Sequence, residues 1–263
     1  MPFFAKDKLL FIHIPKTGGT SVEKYLSSKM NTKLDIDSLY FRYSPTTIQS
    51  EVDKNNHLWK INSEKMKSKK NEYNIPEYRM FKKVSLVKEL GHSLQHLTWL
   101  ELQQSKDILF GKYQEVVSKN VYERNQYEII TIVRNPYDRV VSDLLFNRII
   151  NETNIMNPEI VNRKLKKYLE KNDSFDNHKL PQYLYIVDEH GEIIENITIL
   201  RTESLTHDMK LIGFADFNYN LQKSKCNIEP KETKYISALN RDSIELINKY
   251  YKLDFEMFGY KIL

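Results

Sequence analysis

Leu9-Leu-Phe-Ile-His-Ile-Pro-Lys-Thr-Gly-Gly-Thr-Ser21 is the stretch of this chain that decides its fold. The mostly apolar residues of Lys8–Ile14 predict a buried strand. Gly18 and Gly19 follow it and allow a tight turn in which the backbone can approach a bound group closely. Apolar residues at helical spacing then predict a helix over Thr20–Lys29. The stretch therefore predicts a strand, a glycine turn and a helix in succession.

The groups around this turn are those that bind an anion. Free backbone amides at a helix N-terminus attract negative charge, and lysine and hydroxyl side chains add further donors. A Walker A loop is excluded because the lysine precedes the glycines, which disfavours an ordinary ATP or GTP site. The turn predicts a site for a phosphate-like group, held by Lys16, Thr17, Gly18, Gly19, Thr20 and Ser21.

A second strand also ends in a cationic side chain. Glu128–Val133 is a nearly continuous β-branched run, typical of a buried parallel strand, and Arg134 follows it directly. Ser142 lies on the next predicted helix, three residues after Arg139 and on the same face. Ligands of parallel sheets bind at the carboxyl ends of the strands. We therefore expect Arg134 and Ser142 to hold a second phosphate.

The rest of the chain alternates predicted helices and strands. They are a helix at Ser93–Gln104, a helix from Pro136 to about Ile150 capped by Asn135, a helix from Pro158 to about Lys171, a hairpin with arms Tyr183–Val187 and Glu192–Ile194, a strand at Ile197–Leu200 and a helix at Arg241–Tyr251. This alternation predicts an α/β fold with a central, mostly parallel sheet flanked by helices. We expect a single domain over residues 1–263, with a variable, substrate-related segment at about 35–78.

Composition narrows the class of protein. The net charge of +5 and the pI near 8.9 suit an anionic ligand, but the excess is too small to indicate nucleic-acid binding. Cys226 is the only cysteine, so an intrachain disulfide is impossible. The first residues do not resemble a signal peptide, and no apolar run reaches the length of a membrane span. We therefore expect a soluble, cytoplasmic protein.

Both anion motifs resemble those of a known family. Residues 14–21 (Ile-Pro-Lys-Thr-Gly-Gly-Thr-Ser) resemble the 5′-phosphosulfate loop of sulfotransferases, and residues 132–142 (Ile-Val-Arg-Asn-Pro-Tyr-Asp-Arg-Val-Val-Ser) resemble their 3′-phosphate motif. The pair is most similar to the Golgi-type carbohydrate sulfotransferases and their bacterial and viral relatives. Weaker similarities lie at residues 95–98, 178–182, 199–205 and 250–260.

This resemblance implies a P-loop-like sulfotransferase fold and a specific donor. The donor is 3′-phosphoadenosine 5′-phosphosulfate (PAPS), the product is 3′-phosphoadenosine 5′-phosphate (PAP), and the acceptor is a hydroxyl, here expected on a carbohydrate. Residues 16–21 would hold the 5′ side of the donor, with Lys16 stabilising charge on the departing phosphate. Arg134 and Ser142 would hold the 3′-phosphate. No metal is required, because cationic side chains and amides can neutralise the charge.

A hydroxyl acceptor is a poor nucleophile, so the reaction needs a base. The family keeps its base before the second motif, where this chain has His92 and His96, and the match at Gln-His-Leu-Thr favours His96. Glu89 and Glu101 are alternatives that spacing does not separate. His92 and His96 could share a metal on a helix, but the H-E-x-x-H pattern is absent and we predict no metal site. His13, inside the first strand, is predicted to be structural.

Two other functions are compatible with the same anion sites. A kinase with a degenerate P-loop would use ATP and Mg²⁺ and needs a carboxylate aimed at the metal, yet no predicted strand ends in aspartate. A non-catalytic binder of anionic glycans would keep the anion sites without turnover. The histidine at the position of the base favours an enzyme, and the sequence predicts a PAPS-dependent sulfotransferase that acts by in-line transfer.

Overall fold

A computed structural model describes residues 2–34, 94–104, 127–171, 177–222 and 235–263. Several predictions fall on the other residues. The variable segment at about 35–78, the candidate bases Glu89 and His92 and the first residue of the predicted helix, Ser93, all lie outside the described part of the chain.

The described residues form a central four-stranded sheet with the order β1-β2-β3-β4. The strands are β1 (Phe3–Phe4), β2 (Leu9–Ile12), β3 (Glu128–Val133) and β4 (Ile197–Arg201). β2, β3 and β4 are parallel, and β1 pairs antiparallel with β2. The predicted α/β class with a mostly parallel sheet is therefore confirmed.

The register of the parallel strands brings their carboxyl ends together. Ile12 pairs with Thr131, and Val133 pairs with Arg201. The Thr131 hydroxyl donates to the carbonyl oxygen of Ile12 at 2.8 Å, a bond between residues 119 positions apart. The loops that follow β2, β3 and β4 consequently leave the sheet from one edge.

Helices surround this sheet. In the described residues they are α1 (Gly19–Lys29), α2 (Trp99–Gln104), α3 (Pro136–Phe146), α4 (Pro158–Glu170), α5 (Leu205–Leu211), α6 (Tyr219–Gln222), α7 (Arg241–Tyr250) and α8 (Lys252–Phe258). Short 3₁₀ turns occur at Ala5–Asp7, Leu94–His96, Gln182–Tyr185, Thr202–Ser204 and Tyr235–Ala238.

Both faces of the sheet are buried, which explains the continuous apolar runs in the sequence. On one face Phe11 belongs to a core that includes Leu26 of α1 and Met209 of α5. On the opposite face Leu10 belongs to a second core that includes Leu97, just before α2, and Trp99 of α2. Since each strand contributes to both cores, the buried strand positions are apolar on both faces, with the exception of Thr131 in β3.

A third core joins four helices beside the sheet. It contains Tyr137 and Val141 of α3, Val161 of α4, Ile247 of α7 and Phe255 of α8. These side chains are at most 1% exposed. The third core fixes α3, which carries the second predicted anion motif, against the C-terminal helices.

The predicted helix starts at asparagines are confirmed. The Asn135 side chain accepts the amide of Tyr137 at 3.0 Å, and Asn157 caps α4 through the amides of Glu159 and Ile160. The helix predicted to reach about Ile150 is shorter, since α3 ends at Phe146.

The helix predicted at Ser93–Gln104 is interrupted. A 3₁₀ turn covers Leu94–His96, and α2 begins only at Trp99. Thr98 stops the first turn and caps the second, because its hydroxyl accepts the amide of Glu101 at 3.1 Å while the Glu101 carboxylate accepts the amide of Thr98 at 2.7 Å. This reciprocal pair is a capping box, and it fixes His96 just outside α2.

The predicted hairpin is wrong in its first arm. Residues Gln182–Tyr185 form a 3₁₀ turn, and an isolated bridge between Val187 and Ile193 is what pairs the two arms in the described residues. Asp254 of α8 selects this conformation, since its carboxylate accepts the amides of Gln182 at 2.8 Å and Tyr183 at 2.9 Å. A contact between positions 72 residues apart thus overrides the local strand pattern.

Candidate active site

The loop after β2 ends at a helix N-terminus that no side chain caps. Gly18 is the N-cap of α1, with φ +93°, and the first turn of the helix contains no acidic residue. Lys16 also has a positive φ of +67°, an uncommon conformation for a residue with a side chain. Uncapped amides at the positive end of a helix dipole make this turn suited to an anion.

Gly19 has to be a glycine because His13 occupies the space beside it. A Cβ at Gly19 would lie 2.4 Å from Cδ2 and 2.5 Å from Nε2 of His13. The imidazole thus packs directly on the first residue of α1. His13 is therefore a direct neighbour of the predicted anion site.

Two threonine hydroxyls hold the shape of the loop. Thr17 is buried and donates from Oγ1 to the carbonyl of Ile14 at 2.8 Å, so its hydroxyl proton is engaged within the loop. Thr202, just after β4, lies within 2.6 Å of the carbonyl oxygen of Thr17 and 3.1 Å of that of Val133. The residue after β4 therefore bridges the loop after β2 and the end of β3.

The two predicted anion loops are in direct contact. An Nη atom of Arg134 donates to the carbonyl oxygen of Lys16 at 3.2 Å. The backbone of Arg134 is held by Gln182, whose side chain accepts from the Arg134 amide and donates to its carbonyl, both at 2.8 Å. Gln182 in turn is anchored on Asp254. Burial raises the pKa of Asp254 to about 6, against the opposing influence of Arg139 and the N–H donors.

Arg139 holds the backbone of these loops in place from the protein interior. Its guanidinium is 2% exposed and donates to the carbonyls of Pro15 at 3.0 Å, Leu180 at 2.9 Å and His178 at 2.9 Å. Arg139 was recognised in the sequence by its spacing from Ser142, but these three bonds show that it supports the backbone of the site.

The N-terminus of α3 differs from that of α1. Asn135 caps it, Asp138 lies in its first turn, and the amide of Asn135 is bound by the Glu203 carboxylate at 2.7 Å. These groups already satisfy much of the helix start. The cation that this loop offers to an anion is therefore the guanidinium of Arg134 rather than the helix amides.

Ser142 lies in α3 and is 9% exposed. Within the described residues, neither a hydrogen bond nor an ion pair joins Ser142 to Arg134. Their shared contact with one phosphate remains a prediction.

The ammonium group of Lys16 lies over an aromatic ring. Its Nζ atom is 4.2 Å from the ring centroid of Phe146, the last residue of α3. Phe146 is 54% exposed, and its other contact in the site is a parallel stack with the His178 ring, at 5.0 Å between centroids. The Phe146 ring thus contacts both the Lys16 ammonium group and the His178 ring.

Three histidines line up beside the two loops. His96 stands between His13 and His178 and meets both edge to face, at centroid distances of 4.9 and 5.0 Å. All three are at most 7% exposed. The predicted base His96 thus lies between His13, which packs on Gly19, and His178, which stacks on Phe146.

A buried carboxylate binds each outer histidine of this row. Glu23 of α1 is 2.5 Å from Nδ1 of His13, and Asp143 of α3 is 2.6 Å from Nδ1 of His178. Burial alone would raise the pKa of both carboxyls, but the neighbouring histidine outweighs it and holds each pKa below its ordinary value. Both groups are therefore carboxylates at neutral pH.

The sequence did not reveal this row, because its members come from positions 13, 96 and 178. His13 was assigned a structural role, and its buried pairing with Glu23 agrees with that. The Gln95 side chain also supports this pair, because it donates to the Glu23 carboxylate at 2.7 Å. The available signals were that His96 and His178 both stand in segments similar to the sulfotransferases.

The described residues thus bring the Lys16 loop, the Arg134 loop and a row of buried imidazoles together at one edge of the sheet. In the described part of the chain, no group of three or more His, Cys, Asp or Glu side chains is arranged to hold a metal ion. Among the same residues, no helix is both long and apolar enough to span a membrane.

Comparison with known proteins places the chain in a family. A profile described as the sulfotransferase family matches residues 3–261. No curated protein and no solved structure gave a significant match. Because the family profile covers nearly the whole chain and both anion loops lie within it, this chain belongs to the sulfotransferase family.

Proposed function

We propose that the chain transfers a sulfuryl group from PAPS to a hydroxyl of a carbohydrate acceptor. The observation that carries the proposal is the contact between Arg134 and the carbonyl of Lys16, which joins the two anion loops at one edge of the sheet. A nucleotide with phosphates at its 5′ and 3′ positions needs two neighbouring cationic sites of this kind. The family match supports sulfuryl transfer, and the carbohydrate acceptor follows from the resemblance of the motifs.

In this proposal residues 16–21 bind the 5′-phosphosulfate and Arg134 with Ser142 binds the 3′-phosphate. The uncapped start of α1 contributes its amides, and Thr17 contributes to the shape of the loop. PAPS supplies an activated sulfuryl group whose leaving phosphate is already stable as an anion. Lys16 reaches the site from the loop itself and neutralises the charge that develops on that phosphate.

His96 is the proposed base. The acceptor oxygen forms a bond to sulfur while the bond from sulfur to the bridging oxygen breaks, and the electron pair of that bond stays on the phosphate of PAP. The acceptor proton passes to His96, which lies between two other imidazoles in a site largely closed to water. All charge is handled by side chains and amides, so the proposal uses no metal.

The donor can be tested before the acceptor is known. Calorimetry with PAP should show tight binding, and Arg134→Ala should weaken it about 10- to 100-fold because a charge-assisted contact to phosphate is lost. Arg163→Ala removes the same charge from an exposed position of α4 and should leave PAP affinity unchanged. Equal affinity in wild type and Arg134→Ala would refute the second anion site.

Turnover is tested with PAPS and a panel of chondroitin, heparosan and simple methyl glycosides. Lys16→Ala should abolish transfer with the fold intact by circular dichroism, and His96→Ala should lower the rate far more than the donor affinity. If His92→Ala does so instead, the base is misassigned. Binding of ATP with Mg²⁺ in place of PAP would support a kinase, and PAP binding without transfer to any acceptor would support a non-catalytic glycan binder.

A further inference from the structure

Asp143 and His178 have no part in the transfer described above, yet His178 lies against the proposed base and Asp143 binds His178. Asp143 accepts from Nδ1 of His178 at 2.6 Å, and the Tyr168 hydroxyl donates to its other oxygen. The side chains of the pair are only 6% and 3% exposed. With Nδ1 bound to a carboxylate, the orientation of the His178 ring is fixed.

The backbone around His178 is held equally firmly. Arg139 donates to the His178 carbonyl at 2.9 Å, and the Tyr185 hydroxyl donates to the carbonyl of Asn177 at 2.6 Å. Asn177 adopts a positive φ of +60° and is fully buried. These bonds leave residues 177–178 little freedom to move relative to α3.

This rigid segment contacts His96 at two points. The Asn177 side chain donates to the His96 carbonyl at 3.0 Å, and the His178 ring meets the His96 ring edge to face at 5.0 Å. The first contact fixes the backbone of His96 and the second limits the rotation of its imidazole. Asn177 also donates to the Glu101 carboxylate, which links the segment to the cap of α2.

We propose that Asp143 and His178 are positioning residues for His96: the carboxylate orients His178, and His178 holds the imidazole of His96 in the direction in which it meets the acceptor hydroxyl. This inference rests on the proposed function, in which His96 takes the acceptor proton. The negative charge of Asp143, one ring away, also favours the imidazolium that His96 then becomes.

Other charges face His96 from the surrounding elements, and they define the controls. Glu23 acts from the opposite side through His13, Glu101 acts through Asn177, and Lys16 lies over Phe146 on the far side of His178. None of these changes when Asp143 is replaced by asparagine. The difference between wild type and Asp143→Asn therefore reports the loss of the Asp143 charge together with its effect on His178.

The first test uses the protein without donor or acceptor, so it does not depend on transfer. The titration of the His96 C2–H resonance is followed by NMR in wild type, Asp143→Asn and the control Asp138→Asn, which makes the same change near the start of α3. We expect the midpoint to fall by roughly half a pH unit or more in Asp143→Asn and to stay in place in the control. An unchanged midpoint in Asp143→Asn would overturn the proposal.

The second test asks whether Asp143 acts through His96. With PAPS and an acceptor from the panel, Asp143→Asn should lower kcat about 10- to 100-fold without changing the KM for PAPS. The same change in a His96→Ala background should cost nothing further. An equal loss in both backgrounds would mean that the pair acts independently of His96, and the assignment would fail.

His178→Phe keeps the proposal testable if Asp143→Asn does not fold. Phenylalanine preserves a flat ring against His96 and Phe146 but cannot bind Asp143. It should reproduce the loss of kcat with an unchanged KM for PAPS, and wild-type kcat in this variant would contradict the role of His178. Absence of transfer in the wild-type protein would instead refute the proposed function, while the NMR result would stand by itself.

Discussion

Replacement of Gly19 by alanine tests the close packing of the first anion loop. The new methyl group would lie 2.4 Å from Cδ2 and 2.5 Å from Nε2 of His13. Carbon atoms in contact prefer separations of about 3.5–4.0 Å, so the overlap is about 1 Å or more. The backbone of Gly19 has no positive φ, so this overlap, rather than strain, governs the outcome.

The His13 ring has little room to move away. Its Nδ1 atom is bound to Glu23 at 2.5 Å, and its faces and edges meet Phe11 and His96. A shift of α1 alone would cost about 1–3 kcal/mol, as overpacking usually does. Displacing His13 from the buried Glu23 would cost about 3–5 kcal/mol. We therefore expect the free energy of unfolding to fall by about 3 kcal/mol.

Urea unfolding measures this loss, and thermal melting should show a decrease of about 6–12 °C for a protein of this size. PAP affinity should fall as well, because the start of α1 moves. Gly213→Ala is the control: unlike Gly19, Gly213 has a positive φ of +96°, but a Cβ there meets nothing within 4 Å, so only backbone strain of about 1 kcal/mol is expected, with unchanged PAP affinity. A Gly19→Ala variant as stable as wild type would refute the reasoning.

Two further predictions concern stability. Asp254 binds its proton more tightly in the folded protein than in the unfolded chain, so its contribution to the free energy of unfolding should fall by about 3 kcal/mol as the pH rises from about 4 to about 6. Urea unfolding across that range should show this slope in wild type and lose it in Asp254→Asn; the same slope in both would contradict the assignment. Thr98→Ala should cost about 1 kcal/mol, measured by urea unfolding at pH 7, because the amide of Glu101 loses its cap. A loss below 0.3 kcal/mol, a threshold set by the usual range for caps, would show that the capping box is unimportant.

Local patterns predicted the parts of the fold that local forces determine. The strand, turn and helix of residues 9–29 and the asparagine caps of α3 and α4 are encoded within a few residues of where they occur. The capping box that interrupts the predicted helix at Ser93–Gln104 was also visible, as Thr98 followed three residues later by Glu101. The apolar spacing runs across this capping box and therefore predicts one continuous helix.

Long-range contacts explain what the sequence did not predict. The conformation of residues 182–185 depends on Asp254, and β1 is too short to show any periodicity. The carboxylates bound to His13 and His178 could not be inferred from spacing. Their partners, Glu23 and Asp143, face inward only because α1 and α3 cover opposite sides of the row.

The hydroxyl of Thr202 has a consequence for the order in which the protein matures. It joins the end of β4 to Thr17, 185 residues earlier in the chain, so the proposed nucleotide site is assembled from segments that are synthesised far apart in time. A ribosome-bound fragment that stops before β4 would contain both cationic motifs but would lack Thr202, whose hydroxyl joins the two loops. We therefore expect PAP to bind only after β4 has joined the sheet, and not to the shorter fragment.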